Sequence, residues 1–339
     1  MYNISLITGD GIGPELSESA ISILETIHDK LDVNTKIISL EAGDVALEKY
    51  GHALPDETFE SIKSSDACLK APVGESAADV IVVLRRKLDL FANIRPAKSY
   101  PNTPALRDDV DLVIVRENTE DLYTGQEFEL DGSAVAMRII TEKASKRIAK
   151  HAFQTAIQRN GKRRVTCVHK SNVMRKTDGL FSKSCESVAK EFPDIKFDQM
   201  YVDACSMNLI RQPQDFDVIV TTNLFGDILS DESSQVVGGL GMAPAANIGD
   251  NFGLFEPVHG AAFDIAGKQI ANPTSFILSI KMMLEWLGTK NNDQNASSAA
   301  KILEDTVLNI VNSGVATKDI GGTMSTREFT KEVTNRLSD

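Results

Sequence analysis

Asn-Leu-Phe-Gly-Asp-Ile-Leu-Ser-Asp, at residues 223–231, is the most informative stretch of this chain. Asp227 and Asp231 are four residues apart, so at the start of the predicted helix both carboxylates project from one face. An acidic residue near a helix start often serves as a cap or a dipole partner, and that explanation suffices for Asp227 alone. Two carboxylates at this spacing repel each other unless a positive charge lies between them. The pair therefore favours a site for a hard divalent cation.

The residues that follow this acidic pair are small and mostly uncharged. They read Ser-Ser-Gln-Val-Val-Gly-Gly-Leu-Gly at residues 233–241. A solvent-facing helix seldom needs so much small surface, whereas closely packed helices do. We therefore predict that the cation site lies beside a subunit or domain interface.

The bulk composition is that of a globular protein and argues against one class of partner. With 339 residues the chain can bury a full core and is expected to form two lobes. Hydrophobic residues make up 42% and charged residues 25%, which are ordinary values for a globular chain. The net charge of -12 argues against nucleic acid, because a nucleic-acid partner needs a basic face. Anionic substrates would be drawn by local arginines.

The cysteines and the amino-terminal sequence favour the cytoplasm. Cys68, Cys167, Cys185 and Cys205 show no paired spacing of a disulfide framework or a zinc site, so we expect small buried residues in a reducing compartment. The chain enters an apolar strand at once, without a basic segment, and no apolar run reaches membrane-spanning length. We therefore expect a cytoplasmic protein without a membrane partner.

Strand-like and helical patterns alternate along most of the chain. The strand-like runs are residues 4–8, 36–40, 67–70, 112–115, 135–140, 164–169 and 218–221, and helical patterns include 142–160, 180–191 and 275–287. This alternation predicts α/β layers with a largely parallel sheet. Residues 125–140 are the exception, because Asp131-Gly132 between two strand-like pieces predicts a hairpin.

The first strand is followed by three glycines and a helix with Pro14 in its first turn. Gly9, Gly11 and Gly13 have the spacing G-x-G-x-G and lack the last glycine of the dinucleotide-binding fingerprint. We therefore do not expect a Rossmann phosphate loop at this turn.

Six further sequence blocks occur in a fixed order along nearly the whole chain. They are Gly-Asp-Gly-Ile-Gly-Pro-Glu at 9–15; Leu-Arg at 84–85 through Ile-Arg-Pro at 94–96; Arg-Glu-Asn-Thr-Glu-Asp-Leu-Tyr at 116–123; His-Lys-Ser-Asn at 169–172; Tyr-Val-Asp-Ala at 201–204; and Glu-Pro-Val-His-Gly at 256–260 through Asn-Pro at 272–273. With the acidic pair, these blocks resemble the β-decarboxylating dehydrogenases, which include isocitrate, 3-isopropylmalate and homoisocitrate dehydrogenases. One block would be weak evidence, whereas six in register are specific.

This resemblance implies a two-domain α/β fold of the isocitrate/isopropylmalate dehydrogenase type, with a mixed parallel and antiparallel sheet and no Rossmann fold. The first domain would comprise residues 1–97 and 245–339, with both termini and the cofactor loop. The second would comprise residues 98–244, with the dimer interface and the metal and catalytic residues. Three prolines between residues 96 and 104 fit a crossing between lobes.

Three arginines are candidate ligands for substrate carboxylates. Arg95 lies between Ile94 and Pro96, and Arg116 follows the apolar run 112–115. A buried guanidinium is costly unless an acid or anion pairs with it, and its bidentate geometry suits a carboxylate. By resemblance, Arg85, Arg95 and Arg116 bind the carboxylates of a malate-type substrate, a small 2-hydroxy acid.

The resemblance also implies the catalytic and metal residues. Asp203, Asp227 and Asp231 would bind Mg²⁺ or Mn²⁺, which prefer oxygen ligands. Lys170 would be the base that takes the proton of the substrate hydroxyl, and Tyr123 would supply the proton that completes the 2-keto acid. In the family, Lys170 and Asp203 come from the partner subunit, so a homodimer, or a higher oligomer, would build two composite sites.

The cofactor implied by the resemblance is NAD. Its loop would contain His259, Gly260, Ala261, Asp264, Ile265 and Asn272, with Asn172 near the nicotinamide end. The carboxylate of Asp264 would accept two ribose hydroxyls and repel a 2′-phosphate, which favours NAD over NADP. An alternative explanation of Asp264, as a helix cap, is compatible with ribose binding.

Two apolar residues favour one substrate within the family. Ile81 and Val82 lie three and four residues before Arg85 and hence on its helix face. A buried apolar wall would reject a charged γ-carboxylate and accept an isopropyl group. The expected reaction is metal-dependent oxidative decarboxylation of 3-isopropylmalate to 2-oxoisocaproate with NAD, in leucine biosynthesis.

Alternatives to this reaction remain open. Ile81 and Val82 could be core residues with the wall formed elsewhere, and the substrate could then be isocitrate or homoisocitrate. A non-catalytic regulatory subunit is a further alternative, but such subunits lose catalytic positions, and this chain retains Tyr123, Lys170 and all three aspartates.

Overall fold

The computed structural model describes residues 1–338, and within them it contains twelve strands and eleven α-helices. The strands are β1 (Tyr2–Ile7), β2 (Thr35–Leu40), β3 (Ala67–Lys70), β4 (Ala92–Lys98), β5 (Asp111–Glu117), β6 (Glu127–Leu130), β7 (Ser133–Ala136), β8 (Arg164–His169), β9 (Lys196–Tyr201), β10 (Val218–Thr221), β11 (Pro244–Ile248) and β12 (Gly253–Pro257). The helices are α1 (Gly13–Lys30), α2 (Asp44–Tyr50), α3 (Asp56–Lys63), α4 (Ala77–Lys87), α5 (Glu142–Arg159), α6 (Thr177–Ala189), α7 (Val202–Arg211), α8 (Asn223–Val236), α9 (Thr274–Asn291), α10 (Gln294–Asn312) and α11 (Thr326–Ser338).

These elements form two compact units. The first comprises residues 1–88, 100–106 and 238–339, and the second comprises residues 89–99 and 107–237. The division predicted from the resemblance, with residues 98–244 as the second functional domain, stays a prediction.

In the first unit, five strands lie in the order β2-β1-β3-β12-β11. Strands β1, β2, β3 and β12 are parallel, and β11 pairs with β12 in the antiparallel sense. Helix α9 packs on β12 and β11, and α1, α9, α10 and α11 pack against one another. The amino-terminal and carboxyl-terminal helices therefore share one core.

In the second unit, five strands lie in the order β4-β5-β10-β8-β9. Strands β5, β10, β8 and β9 are parallel, and β4 is antiparallel to β5. Helix α8 packs on β4, β5 and β10, and its Leu229 and Val236 join a buried cluster with Ile114, Val168 and Ile219. Burying this apolar face against the strands fixes α8 in place.

The predicted fold class is confirmed, since both units are α/β and combine parallel and antiparallel strands. Strands β3, β8 and β10 have the predicted bounds, and the hairpin at Asp131-Gly132 is present with a positive φ at both residues. Two details were wrong. The run 135–140 is not one strand, because β7 ends at Ala136, and Asp227 lies in the second turn of α8 and not at its start.

The four cysteines are free and buried, as predicted. None of the helices within residues 1–338 combines the length and the apolar character needed to cross a lipid bilayer.

Candidate active site

The second unit brings candidate catalytic residues to one edge of its sheet. Strands β5, β10 and β8 are adjacent and parallel, so their carboxyl ends lie at the same edge. Residues that follow these three ends include Tyr123, Asp227 and Lys170. In open parallel sheets, ligands bind at this edge.

Arg95 and Arg116 both point toward the acidic pair of α8. The Arg95 guanidinium donates to Asn93 (2.7 Å), to Ser230 (3.2 Å) and to Asp231 (3.2 Å), and it lies 3.6 Å from Asp227. Its side chain is only 9% exposed. The positive charge that the spacing of Asp227 and Asp231 requires is therefore supplied within the chain.

Arg116 is buried and is held by two residues of α8. Its Nε and Nη2 donate to Asn223 Oδ1 (3.0 and 2.8 Å), and its Nη1 pairs with Asp227. Tyr123 lies over this arginine, with the guanidinium 5.0 Å from the ring centroid, and its hydroxyl donates to Asp227 Oδ2 (2.5 Å). The predicted proton donor and two predicted substrate ligands therefore converge on one carboxylate.

The two carboxylates of α8 remain accessible despite these contacts. The side chain of Asp227 is 37% exposed and that of Asp231 is 54% exposed. Partial desolvation raises the pKa of Asp231, Arg95 acts in the opposite direction, and the neighbouring Asp227 adds to the rise. An added cation at this place would favour both ionised carboxylates.

Lys170 and Asp203 form a separate pair. Lys170 Nζ donates to Asp203 Oδ1 (2.6 Å), and this ammonium group holds the pKa of Asp203 below its usual range. The backbone around Lys170 is fixed as well. The N–H of Lys170 donates to Asp178 Oδ2 (2.5 Å), and the N–H of Ser171 donates to His169 Nδ1 (3.2 Å). Asn172, in the same loop, is exposed.

The acidic residues fit a divalent cation only in part. Asp227 and Asp231 offer hard oxygen donors from one helix face. Asp203 is not grouped with them, since residues 1–338 contain no cluster of three histidine, cysteine, aspartate or glutamate side chains that could hold a metal. One chain therefore supplies two of the three predicted ligands at one place.

Arg85 lies in the first unit within a buried polar cluster. Its Nε donates to Asn247 (2.9 Å) and its Nη2 lies 3.4 Å from Glu256, which also pairs with Lys70 (2.9 Å). Burial alone would raise the pKa of Glu256, but Lys70 and Arg85 lower it to about 2. Glu256 is thus a permanent anion that orients Arg85.

Ile81 and Val82 lie on α4 beside this arginine and are half-buried, whereas Val80 and Leu84 are fully buried. The core face of α4 is therefore formed by other residues, and part of the Ile81 and Val82 surface is left for a ligand. The role of Ile81 and Val82 as a substrate wall stays a prediction.

The predicted cofactor loop forms an exposed turn in the first unit. Gly260 and Asp264 are exposed, Ala261 is buried, Ile265 is half-buried, and Lys268 Nζ donates to the Asp264 carbonyl (2.7 Å). His259 Nε2 is buried and has no hydrogen-bond partner within the described residues, and burial lowers the pKa of this histidine. The orphaned nitrogen and the exposed carboxylate fit a nucleotide with ribose hydroxyls.

Asn272 differs from Asp264 and His259 because both ends of its side-chain amide are already hydrogen-bonded within the protein. Its Nδ2 donates to Asp319 (3.0 Å) and its Oδ1 accepts from the N–H of Thr274 (2.9 Å) at the start of α9. The contact with cofactor that the resemblance assigns to Asn272 stays a prediction.

The glycine loop after β1 has a structural explanation. Asp10 accepts from the backbone N–H groups of Asp44, Val45 and Gly74 (2.9, 3.1 and 2.9 Å). Gly11 has φ +56°, and a Cβ there would lie 2.1 Å from the Ala261 carbonyl oxygen. The loop therefore supports the cofactor turn by close backbone packing.

Sequence reasoning missed several residues that hold the arginines. Asn93, Asn223 and Ser230 contact Arg95 or Arg116, and Asn247 contacts Arg85. Asn223 is the first residue of the stretch 223–231, and Asn247 and Asn93 lie within strands β11 and β4. An amide side chain beside apolar residues was therefore the available signal.

Comparison with known proteins gives a consistent result. A family model described as "Isocitrate/isopropylmalate dehydrogenase" matches residues 3–334. The chain is 51% identical over 334 residues to a 3-isopropylmalate dehydrogenase of Saccharolobus solfataricus, covering 98% of each chain. It is 52% identical over 338 residues to the same-named enzyme of Sulfurisphaera tokodaii, covering 99% of each. The crystal structure of isocitrate dehydrogenase from Methylococcus capsulatus is similar with a TM-score of 0.93 and 42% identity, covering 100% of both chains.

Replacing Gly226 by alanine should displace Arg116. A Cβ at Gly226 would lie 2.5 Å from Cγ and 2.6 Å from Cβ of Arg116, and the stem of a buried side chain cannot move freely. We expect Gly226→Ala to lower the free energy of unfolding by about 1–3 kcal/mol, measured by chemical denaturation.

The matched control is Gly179→Ala, since Gly179 is also helical but has no atom within 4 Å of an added Cβ. This variant should be neutral or gain up to about 1 kcal/mol. Equal stabilities for the two variants would contradict tight packing of Gly226 on Arg116.

Proposed function

The chain belongs to the isocitrate/isopropylmalate dehydrogenase family, and from this premise we propose that it oxidatively decarboxylates 3-isopropylmalate to 2-oxoisocaproate with NAD, in leucine biosynthesis. The observation that carries the proposal is the convergence of Arg95, Arg116 and Tyr123 on Asp227. This arrangement combines carboxylate ligands, a proton donor and metal-binding oxygens in one place.

Arg95 and Arg116 bind the substrate carboxylates. Both are buried, and both are already held in place by neutral amide oxygens, from Asn93 and Asn223. The amides fix each guanidinium without neutralising it, and a substrate carboxylate takes over N–H groups that now pair with Asp227 and Asp231. In the first unit, Glu256 orients Arg85 for the same task.

Lys170 and Tyr123 move the protons. Lys170 first gives its ammonium proton to solvent. As the neutral amine it then takes the proton of the 2-hydroxyl as hydride leaves C2, and the bond between C3 and its carboxylate breaks to release carbon dioxide. The electron pair of that bond forms an enolate, and the hydroxyl of Tyr123 gives a proton to C3 to complete the 2-keto acid. The guanidinium of Arg116 lies over the Tyr123 ring, 5.0 Å from its centroid, and helps to hold the ring in place.

The residues that would hold the metal ion and the cofactor are those named by the resemblance. Asp227, Asp231 and a partner's Asp203 would hold Mg²⁺ or Mn²⁺, and the turn from His259 to Ile265 would hold NAD, with Asn172 at the nicotinamide end. When bound, the metal polarises the oxygen on C2 and NAD accepts the hydride.

Specificity for 3-isopropylmalate is proposed from Ile81 and Val82. Their half-buried apolar surface lies on the helix of Arg85 and suits an isopropyl group, whereas a γ-carboxylate there would lose hydration without a partner. The relatives named for 3-isopropylmalate are 51% and 52% identical, and the structure named for isocitrate is 42% identical.

A homodimer is proposed for two reasons. The second unit has exposed apolar residues, and one chain places only two of the three predicted metal ligands together. Met207 and Ile210 of α7 are 65% and 56% exposed, and Ile228 of α8 is 58% exposed. Phe128 and Leu130 of the hairpin β6–β7 are 50% and 60% exposed, and an isolated hairpin is marginally stable in water. A second copy would cover these groups and bring Lys170 and Asp203 to the other chain's Asp227.

The proposed compartment is the cytoplasm, because buried free thiols fit a reducing environment.

Steady-state assays with 3-isopropylmalate, isocitrate, homoisocitrate and D-malate test the substrate. We expect kcat/KM for 3-isopropylmalate to exceed that for isocitrate by roughly tenfold to a hundredfold. The double variant Ile81→Ser/Val82→Asn should show a smaller ratio of the two kcat/KM values. Its kcat/KM for D-malate, which has no γ group, should change little. Val83→Ser is the control, because Val83 is half-buried on the same helix but two residues from Arg85. Faster turnover of isocitrate by the unaltered enzyme would refute the substrate assignment.

NAD should be preferred over NADP because Asp264 repels the 2′-phosphate. We expect a ratio of kcat/KM values of roughly a hundredfold or more, since like charges in contact cost several kcal/mol. Asp264→Asn should reduce the ratio, whereas Asp250→Asn, at another exposed acid of the first unit, should not. Equal efficiency of the two cofactors in the unaltered enzyme would show that Asp264 does not face the ribose.

Mixing two inactive variants tests the composite site. Lys170→Ala and Tyr123→Phe chains should regain about a quarter of the wild-type activity after subunit exchange, since half of the dimers are mixed and each has one intact site. Mixing Lys170→Ala with the double variant Lys170→Ala/Tyr123→Phe is the control and should stay inactive. Absence of recovery, with exchange demonstrated by mass spectrometry, would count against residues donated by a partner.

A further inference from the structure

Arg138, which follows the hairpin, lies at the centre of a buried ionic cluster in the second unit. Its guanidinium donates to Asp121 through Nε (2.5 Å) and Nη2 (3.2 Å), and to Asp178 through Nη1 (2.5 Å). Both aspartates are fully buried, and Arg138 is 11% exposed. One planar guanidinium therefore bridges two acids from different parts of the chain.

Each partner of Arg138 fixes a different catalytic segment. Asp121 accepts from the N–H of Leu122, in the turn that carries Tyr123, and from the N–H of Leu224, in the first turn of α8 (2.9 and 3.1 Å). Asp178 accepts from the N–H of Lys170. The cluster thus contacts the segments of the proposed acid, the proposed base and the metal helix.

Arg138 also contacts α8 directly. Its Nη2 donates to Thr222 Oγ1 (2.7 Å), and its guanidinium lies 4.8 Å from the ring centroid of Phe225. Thr222 precedes Asn223 and has no side-chain capping bond of its own in the helix. The threonine hydroxyl therefore serves Arg138 and not the helix end.

We propose that Arg138 is a positioning residue. It holds the turn of Tyr123, the loop of Lys170 and the start of α8 at fixed positions relative to one another. The proposal rests on the proposed function for the roles of these three segments. Within residues 1–338, no hydrogen bond or ion pair joins Arg138 to Tyr123, Lys170, Asp227 or Asp231. Arg138 therefore acts through Asp121, Asp178 and Thr222. A lysine at this place would keep the charge but could not span all three acceptors.

The chain offers a matched control in Arg159. Its Nε donates to Asp217 (3.1 Å), a buried acid, and its Nη2 donates to Asp111 (2.7 Å). Arg159 thus also bridges two aspartates in the second unit, but neither aspartate bonds to the segments of Tyr123 or Lys170 or to α8. Arg159→Lys reproduces the loss of a guanidinium bridge without the proposed positioning role.

The test compares Arg138→Lys, Arg159→Lys and the unaltered enzyme, using whichever family substrate the unaltered enzyme turns over best. A merely structural arginine would lower thermal stability and leave the kinetics of the folded fraction unchanged. For Arg138→Lys we expect kcat to fall roughly 10- to 100-fold with KM for the substrate within about twofold, since the arginines that bind substrate are untouched. For Arg159→Lys, kcat should remain within about twofold of the unaltered value.

Hydrogen exchange provides a readout that does not depend on turnover. In Arg138→Lys, peptides covering residues 119–124, 170–178 and 222–226 should lose protection together, and in Arg159→Lys they should not. Wild-type kcat in folded Arg138→Lys, or exchange that changes only around residue 138, would overturn the proposal. If the unaltered enzyme turns over none of the family substrates, the proposed function fails, whereas the exchange result still decides the positioning role.

Thr222→Val keeps the proposal testable if Arg138→Lys does not fold. The valine has nearly the same shape and removes one acceptor of Arg138. We expect kcat to fall about tenfold, since the lost bond is charge-assisted, and Thr222→Ser to restore it. Wild-type kcat in Thr222→Val would overturn the proposal.

Discussion

The pairing of two buried guanidinium groups with the acids of one helix is the interaction on which the site depends. Arg95 and Arg116 neutralise Asp227 and Asp231, and Asn93 and Asn223 hold both arginines in fixed directions. Without the arginines the carboxylates would repel, and without the carboxylates the buried cations would lack partners. The arrangement is stable as it stands, yet both sets of charges can exchange partners. An anion can replace an aspartate at an arginine only when a cation compensates that aspartate.

The fold makes this pairing possible because the ends of neighbouring strands lie next to each other. Parallel neighbours β5, β10 and β8 deliver the segments that follow them to one edge, and antiparallel β4 places Arg95 beside β5. The same chain leaves Lys170 with Asp203 in a separate pair. The proposed site residues thus form two sets, and the charges within each set cancel. This division suits a protein whose active sites are completed when two copies associate.

Much of this arrangement was readable from the sequence. The strand-like runs predicted the bounds of β3, β8 and β10, and Asp131-Gly132 predicted the hairpin, since both features depend on local geometry. Charged residues in apolar settings indicated Arg95 and Arg116. The amide partner of Arg116 could not be predicted from the sequence, because Asn223 lies 107 residues further along the chain. Arg138 lies between Met137 and Ile139 and carried the same signal as Arg95, but that segment was read as a strand.

The separate pair of Lys170 and Asp203 has a consequence for the behaviour of the protein on dilution. If each site borrows these residues from a second copy, a lone chain can be fully folded and still inert. Specific activity would then follow the law of mass action and fall as total protein falls. At low expression in a cell, the total activity would fall more steeply than the number of chains. Activity would therefore not be proportional to gene dosage.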